Sequence, residues 1–254
     1  MYKLFSIILT FVFSSGIICF AQISSDNLSI PKLKKDEQLI CHQAYCLVYS
    51  EEHEQAKWVA YQLTDKMLES NVSRNNKFII DPLVTTGTAN NKDYKGSGYD
   101  RGHLAPSADM CYSQNTMEES FYYSNMSPQL PGFNRGIWKT LESNVRTYAE
   151  KLNKIYIVTG PILKESLPQI GENQVDVPEE YFKAILFISD TCSQAIAFVL
   201  PNNKIDNDML FNYVISIDEL EKLLKVNLFY KLPFLLEKRV EKKYNKTFWL
   251  KLTE

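Results

Sequence analysis

Histidine is scarce in this chain, which has three in 254 residues: His42, His53 and His103. A zinc hydrolase needs three or more His, Cys, Asp or Glu ligands at recognisable spacing. The three histidines form neither an H-E-x-x-H nor an H-x-H pattern. The sequence therefore argues against a zinc hydrolase.

Glycine is sparse as well, and two glycine motifs of nucleotide-binding enzymes are absent. Neither G-x-x-x-x-G-K-[ST] nor G-x-G-x-x-G occurs among the nine glycines. A nucleotide-cofactor enzyme has no support here. No repeat, low-complexity tract or inter-domain linker stands out either, which favours a single domain.

An excess of positive charge is also missing. The chain has 28 Lys and Arg against 30 Asp and Glu, a net charge of −2. Proteins that bind nucleic acid tightly over a wide surface often have a strong positive balance. An enzyme that releases its product needs only a local basic cleft. Six residues are candidates to line such a cleft: Arg74, Lys92, Lys95, Arg101, Arg135 and Lys139.

A long apolar run stands at the N-terminus. Residues 4–20 are almost wholly apolar and follow Lys3, which is the pattern of a secretory signal peptide. We expect a signal over residues 1–21 with cleavage before Gln22, and a retained N-terminal anchor is the alternative. The mature protein is then secreted or periplasmic, without stable membrane association.

Four cysteines remain after this cleavage: Cys41, Cys46, Cys111 and Cys192. In an oxidising compartment they are compatible with one or two disulfides, and they allow three complete pairings. Cys41 and Cys46 are five residues apart and would need a bend or an irregular hairpin to meet, so that local bridge is not assumed and the pairing stays open. Cys111 is a buried hydrophobe or a bridge partner, and a catalytic thiol has little support.

About 230 residues follow the signal, enough for one well-buried domain. We assign residues 22–40 to a loose polar leader and 41–254 to the domain. Helices are predicted at 114–119, 134–151 and 216–224, the last with a capping box from Ser216 to Glu219. The segment 55–63 fits a helix or a strand. Strands are predicted at 45–49, 98–104, 124–129, 154–160, 181–189 and 194–200. The economical fold is α+β, with a central, mostly antiparallel sheet flanked by helices.

Polar side chains concentrate in three segments, 99–106, 124–129 and 133–142. Taken singly they are ordinary, because a lone His, a lone Asn or an Arg and Glu pair usually lies in a turn, a cap or a helix surface. Their joint occurrence in this order indicates a site. Its members are Arg101, His103, Asn125, Asn134, Arg135 and Glu142.

These residue types suit cleavage of a phosphodiester by water. That reaction needs a base for the nucleophile and a cation for the charge on the phosphoryl oxygens. His103 can be the base, because imidazole titrates near neutrality. Asn134 offers a hard amide oxygen, which suits Mg²⁺, and Mg²⁺ keeps several waters, so one or two protein ligands suffice. If residues 135–150 are helical, Glu142 lies about two turns from Asn134 and could orient a metal-bound water.

Three motifs carry a family resemblance: DRGH at 100–103, SNMSPQ at 124–129 and NRGIW at 134–138. Together they resemble the DNA/RNA non-specific endonucleases of the ββα-metal, or His-Me finger, superfamily, which include extracellular bacterial nucleases and mitochondrial endonuclease G. The similarity runs from about residue 44 to 235. It implies the ββα-metal nuclease fold.

The resemblance also implies residue roles. His103 becomes the general base, Asn134 the one direct protein ligand of Mg²⁺, and Glu142 a partner of metal-bound water. Asn125 holds either the active-site geometry or the phosphate, and Arg101 belongs to the site.

Arg74 and Arg135 are candidates to bind substrate, Arg74 from the resemblance and Arg135 from the chemistry of its side chain. The pattern from Arg74 through Phe78 to Asp81 resembles the family's phosphate-contacting arginine, although the residues between are less typical. Arg101 and Arg135 are planar donors that suit phosphate oxygens.

The predicted protein is thus a secreted, Mg²⁺-dependent endonuclease that hydrolyses DNA and RNA, with Mn²⁺ as a substitute ion, and the resemblance implies 5′-phosphate ends. The sequence leaves the oligomeric state open, and a homodimer is one alternative because related nucleases are often dimers. The alternative is a catalytically inactive, nuclease-like secreted protein that only binds nucleic acid. A toxin nuclease ranks lower, because the sequence shows no delivery domain.

Overall fold

A computed structural model describes residues 28–254. A seven-stranded sheet, in which every neighbouring pair is antiparallel, forms its centre, and two separate two-stranded ladders lie beside it. The strands are β1 (Leu39–Cys41), β2 (Cys46–Ser50), β3 (Gln55–Thr64), β4 (Asp100–His103), β5 (Met126–Gln129), β6 (Lys154–Pro161), β7 (Gln169–Ile170), β8 (Val175–Asp176), β9 (Glu180–Ile188), β10 (Ser193–Pro201) and β11 (Val214–Ile215). The large sheet has the order β1-β2-β3-β6-β9-β10-β11, whereas β4 pairs with β5 and β7 with β8.

Helices cover both faces of this sheet. They are α1 (Asn91–Tyr94), α2 (Gln114–Glu119), α3 (Pro131–Phe133), α4 (Lys139–Leu152), α5 (Ile217–Leu224), α6 (Phe234–Lys242) and α7 (Lys246–Lys251), with a π-helical turn at Asn134–Trp138 between α3 and α4. The α+β prediction and the antiparallel sheet are confirmed, as is α5 with its Ser216 and Glu219 capping box. No helix in the described part of the chain is long and apolar enough to cross a membrane.

The segment 55–63, which fitted either a helix or a strand, is part of strand β3. Alternate side chains enter two different cores: Val59 and Tyr61 join the core under α4 and α7, whereas Trp58 and Ala60 join the core under α5 and α6. Because both faces of the sheet are covered, β3 is apolar on both sides and shows no clean alternation in sequence.

The described part of the predicted leader is packed, not loose. Leu28 and Ile30 are 2% and 8% exposed in the α5–α6 core, and the Lys32 amide donates to the Asn227 carbonyl over 2.8 Å. Two apolar side chains therefore anchor a polar stretch, which composition alone did not indicate. The expected signal at 1–21 lies outside the described residues.

The sequence left the cysteine pairing open, and in the structure Cys41 and Cys46 are bonded. They face each other across the β1–β2 hairpin with their Cα atoms 4.1 Å apart. A cross-strand pair brings two Cβ atoms close together, so the hairpin supplies the bend that the bridge requires. Cys111 and Cys192 are free, and Cys111 is buried.

Candidate active site

The β4–β5 ladder and the helices that follow it form a unit beside the large sheet. Ser127 of β5 fastens this unit to the sheet, because its hydroxyl donates to Gln55 of β3 and bonds with the Tyr181 hydroxyl of β9 over 2.7 Å. Both bonds are buried, so the ladder is held firmly against the sheet. The DRGH residues of β4 are thereby presented on a rigid support.

His103 is the last residue of β4 and pairs with Met126. Its ring is packed edge-on against Phe121, with centroids 4.9 Å apart, and lies 5.9 Å from the ring of Phe78. The residue is 9% exposed, and its Nε2 is buried with no hydrogen-bond partner among residues 28–254. A buried nitrogen without a partner is unusual and points to a functional role.

The surroundings of His103 favour the neutral imidazole. Burial and, after it, the positive charges of Arg74 and Arg101 together lower the pKa of His103 to about 3. At neutral pH the ring therefore has a free lone pair that can accept a proton. This protonation state is the one that a general base requires.

Arg101 lies near His103 on strand β4. Its guanidinium carbon is 4.2 Å from the centroid of Phe78, and its Nη1 donates to the side chain of Asn91 over 2.7 Å. The cation–π contact and this hydrogen bond hold the charge in place without neutralising it. Arg101 can therefore still attract an anion.

Arg74, the weaker of the sequence assignments, also reaches the site. Its guanidinium carbon is 5.0 Å from the centroid of Phe121, the ring that packs on His103. Its Nη1 donates to the hydroxyl of Ser107 in the segment after β4. Phe78 belonged to the sequence pattern, but no sequence signal indicated that Phe121 supports both Arg74 and His103.

Asn134 is oriented by Asp100, the first residue of the DRGH motif. Its Nδ2 donates to Asp100 Oδ2 over 2.9 Å, which leaves the amide oxygen without a hydrogen bond in the described structure. Sequence reasoning used Asp100 only as part of the motif and assigned it no role. The structure shows that its carboxylate determines which way the Asn134 amide points.

Arg135 forms a two-bond ion pair with the carboxylate of Asp100. Its Nε and Nη2 donate to the two oxygens of Asp100 over 2.8 and 2.6 Å, and this bonding raises the pKa of Arg135 above its ordinary value. Asp100 takes two of the five N–H donors of Arg135, and the side chain is 71% exposed, so the predicted role of Arg135 in binding substrate stays a prediction. Arg135 also holds Asp100.

The helix boundary predicted at Asn134 is wrong. Helix α3 begins three residues earlier, at Pro131, a residue well suited to the first helical position. Asn134 starts a π-helical turn, in which Gly136 has non-helical φ and ψ of −104° and −116°. The regular helical spacing assumed between Asn134 and Glu142 therefore does not apply, because a π turn and a kink intervene.

Glu142 lies on α4 among charged side chains, of which Asp109 and Lys183 are buried. Burial raises the pKa of Glu142 to about 7, the neighbouring Asp109 raises it too, and the cations Lys183, Arg146 and Arg74 oppose this shift. Glu142 makes no hydrogen bond or ion pair within the described chain. Its carboxylate is therefore free to bind a ligand in the site.

Lys183 of β9 was not anticipated by the sequence, because its strand is otherwise strongly apolar. Its side chain is fully buried. Its Nζ lies 3.1 Å from the Thr159 hydroxyl and 3.4 Å from the Leu104 carbonyl. The same atom is 4.7 Å from the ring centroid of Trp138. Burial lowers the pKa of Lys183 to about 8, while Glu142 opposes that shift. Lys183 thus contacts the backbone of Leu104, the residue that follows His103.

Asn125 serves geometry and not phosphate binding. It is fully buried, its Oδ1 accepts from the Ala105 amide, and its Nδ2 donates to the carbonyls of Ala105 and Ser120, all within 2.9 Å. Every donor and acceptor of the amide is used by backbone. Of the two roles left open for Asn125, the structure supports the positioning one, in which it fixes the loop just after His103.

The family match agrees with this geometry. A sequence model of the DNA/RNA non-specific endonucleases matches residues 24–234, most of the chain. The chain belongs to this family. It is a nuclease, an enzyme that hydrolyses phosphodiester bonds. The family resemblance and the ββα-metal fold class expected from the three motifs are confirmed.

Named relatives show the same similarity. Mitochondrial nuclease EXOG of Danio rerio is 36% identical over 194 residues, 70% of this chain and 57% of that protein, so the chain matches little more than half of its length. Mitochondrial endonuclease G of Homo sapiens is 33% identical over 73% of this chain and 67% of its own. A nuclease of Nostoc sp. is 34% identical over 203 residues, which cover 76% of this chain and 73% of that nuclease.

The backbone fold of this chain is also similar to that of a solved nuclease structure. A chain in the crystal structure of the EndoG/EndoGI complex superimposes on this nuclease with a TM-score of 0.74 at 29% identity. The superposition covers 82% of this chain and 90% of that chain.

Gly102 of the DRGH motif is required by close packing. A Cβ added there would lie 2.2 Å from Cδ and Oε1 of Gln129, whose side chain is fully buried. We expect Gly102→Ala to lower the free energy of unfolding by about 1–3 kcal/mol, since overpacking forces the strands apart. Urea unfolding measures this loss. Adding Gln129→Ala makes room for the methyl group and should recover part of it; an unchanged stability in Gly102→Ala alone would contradict the close contact.

The pKa of His103 can be measured directly. Because the folded pKa is about 3 and the unfolded value about 6.5, the neutral ring is favoured by folding. We expect the ¹³Cε1 NMR signal of His103 to stay constant from pH 8 to pH 5. Stability contributed by the neutral ring should be lost as pH falls from about 6.5 towards 3. The signal is assigned by its absence in His103→Ala, and a midpoint near pH 6.5 would refute this description.

Proposed function

We propose that this nuclease is a Mg²⁺-dependent endonuclease that cleaves both DNA and RNA, with His103 as the general base. The observation that carries the proposal is a neutral, nearly buried imidazole near two arginines, whose Nε2 has no hydrogen-bond partner in the described chain. An imidazole in that state accepts a proton, and the arginines suit an anionic substrate.

The donor set beside Asp100 fits a hard divalent cation. Asn134 presents an amide oxygen that accepts no hydrogen bond in the described chain, and Asp100 and Arg135 hold it in that orientation. Asn134 would hold the ion directly, and Glu142 would bind one of its waters, as suits Mg²⁺ or its substitute Mn²⁺. Such an ion neutralises charge on the phosphoryl oxygens.

The chain's own residues account for the remaining chemistry. Arg74 and Arg101 bind the non-bridging oxygens of the phosphate through planar guanidinium donors. His103 takes the proton of the attacking water. A bound phosphate offsets the two positive charges that lower the pKa of His103, so the imidazole becomes a stronger base when the substrate is present.

Two other residues keep His103 in place during this step. Asn125 bonds both backbone groups of Ala105, and Lys183 bonds the carbonyl of Leu104. Both are positioning residues, because they contact the loop after His103 and not the reacting atoms. A general base accelerates the reaction by several orders of magnitude only when it is held in the correct orientation.

The substrate range follows from the chemistry of these contacts. Guanidinium groups and a hard cation recognise the phosphate backbone, which DNA and RNA share, and not the base edges. The net charge of −2 matches an enzyme that uses a few local arginines and releases its product. We therefore propose cleavage without preference for sugar or sequence.

We further propose that the mature enzyme acts outside the cytoplasm, in the periplasm or after secretion. The apolar N-terminal run supports this, and so does the Cys41–Cys46 disulfide, because structural disulfides persist in oxidising compartments.

Removal of the base tests the mechanism. We expect His103→Ala to lower plasmid cleavage about 10²–10⁴-fold, the usual contribution of a general base, without loss of the thermal unfolding transition. Asn134→Ala should be nearly as damaging, and EDTA should abolish cleavage until Mg²⁺ is restored. The exposed Asn203→Ala serves as the matched control and should cleave normally. Folded His103→Ala that retains Mg²⁺-dependent cleavage would disprove the proposed base.

Export predicts a defined N-terminus. We expect the protein recovered from periplasm or culture medium to begin at Gln22, since the apolar run ends just before it. N-terminal sequencing and intact mass measure the cut, and thiol labelling without reductant should modify only Cys111 and Cys192 after unfolding. A cell-associated chain that keeps residues 1–21 would support the membrane anchor and contradict this proposal.

A further inference from the structure

Helices α5 and α6 bring carboxylates together far from His103. Asp218 and Glu221 lie on α5, and Glu237 and Glu241 lie on α6. One carboxylate oxygen from each of Asp218, Glu221 and Glu241 lies within 4.8 Å of the other two. No other group of three or more His, Cys, Asp or Glu side chains in residues 28–254 has its ligand atoms this close together.

Glu241 is the unusual member of this group. It is 4% exposed, and its Oε1 is buried without a hydrogen-bond partner in the part of the chain that the structure describes. An unpaired carboxylate in such a place costs several kcal/mol unless a cation or a proton compensates it. Glu241 is therefore compensated either by a proton or by a cation that binds beside it.

The neighbouring groups do not neutralise it. No Lys, Arg or His nitrogen of the described residues lies within 4 Å of any of the four carboxylates. Glu221 accepts from the Leu228 amide, and Glu237 accepts from the Asn227 side chain. Burial and then the charges of Glu221, Glu237 and Asp218 raise the pKa of Glu241 to about 8, so each carboxylate opposes ionisation of the others.

We propose that Asp218, Glu221 and Glu241 bind a divalent cation of the Ca²⁺ type, which links α5 to α6. Carboxylate oxygens are the ligands that Ca²⁺ prefers, at about 2.3–2.6 Å in flexible geometry. Two oxygens that bind one Ca²⁺ ion are at most about 4.6–5.2 Å apart. The three oxygens here, all within 4.8 Å of one another, are close enough to share one ion. Asp218 and Glu221 also line an open surface cleft, which gives an ion access from solvent.

This site is separate from the nuclease site. Ile217, Leu220 and Val240, which flank the three carboxylates in α5 and α6, belong to the core on one face of the sheet. Leu104 and Trp138, which adjoin the nuclease site, belong to the core on the other face. A cation between α5 and α6 therefore stabilises the fold and takes no part in hydrolysis.

Calcium titration of the full chain tests the proposal. The Asn134→Ala background removes the proposed ligand in the nuclease site. In this variant we expect isothermal titration calorimetry to show one Ca²⁺ bound per chain. We also expect the unfolding temperature to rise by about 5–10 °C when the Ca²⁺ concentration is a hundredfold above Kd. Adding Glu241→Gln should abolish both effects, whereas the exposed Glu172→Gln should retain them.

The outcomes are distinguishable. If Glu241→Gln does not fold, Glu221→Gln tests the same site from the other helix. The proposal is supported if either variant loses the calcium response. The same substitution made in the chain that keeps Asn134 should leave plasmid cleavage normal at saturating Mg²⁺. Absence of calcium binding in the Asn134→Ala chain overturns it, as does an equal response in the Glu241→Gln and Glu172→Gln chains. Neither result depends on the role of His103.

Discussion

The bonds that Asp100 accepts connect the two halves of the site. Its carboxylate stands at the start of β4 and bonds Asn134 and Arg135 in the π turn before α4. The same short strand ends at His103. Because a strand is stiff over four residues, fixing Asp100 against the π turn also fixes where the imidazole lies relative to the Asn134 amide. Loss of this attachment would separate the base from the proposed ion.

Electrostatics determine the state in which these groups act. Burial and two arginines keep His103 neutral, and burial brings the pKa of Glu142 to about 7 beside the cation of Lys183. These shifts cost folding energy, because a buried charge is compensated only in part. The protein accepts that cost at the active site, where perturbed protonation states are useful. A similar cost at Glu241 has no catalytic explanation, which is why an ion is inferred there.

Much of the architecture was predictable because its signals are local. The capping box of α5 and the apolar strands β6, β9 and β10 depend on neighbours in sequence, and their predicted positions agree with the structure to within a residue or two. Strand β3 was ambiguous because it is buried on both faces. The Cys41–Cys46 bridge was left open because its geometry depends on how a hairpin closes, which spacing alone does not show.

The candidate site divides in the same way. The chemical types of His103, Asn134 and the arginines, and the order of the three motifs, follow from the sequence alone, because a hydrolytic reaction restricts which side chains can serve it. The partners of those residues do not. Phe121 supports two site residues, Lys183 supports the loop after His103, and Asp100 occupies Arg135. These contacts join residues up to about eighty positions apart, and only the packing of the folded chain decides which of them meet.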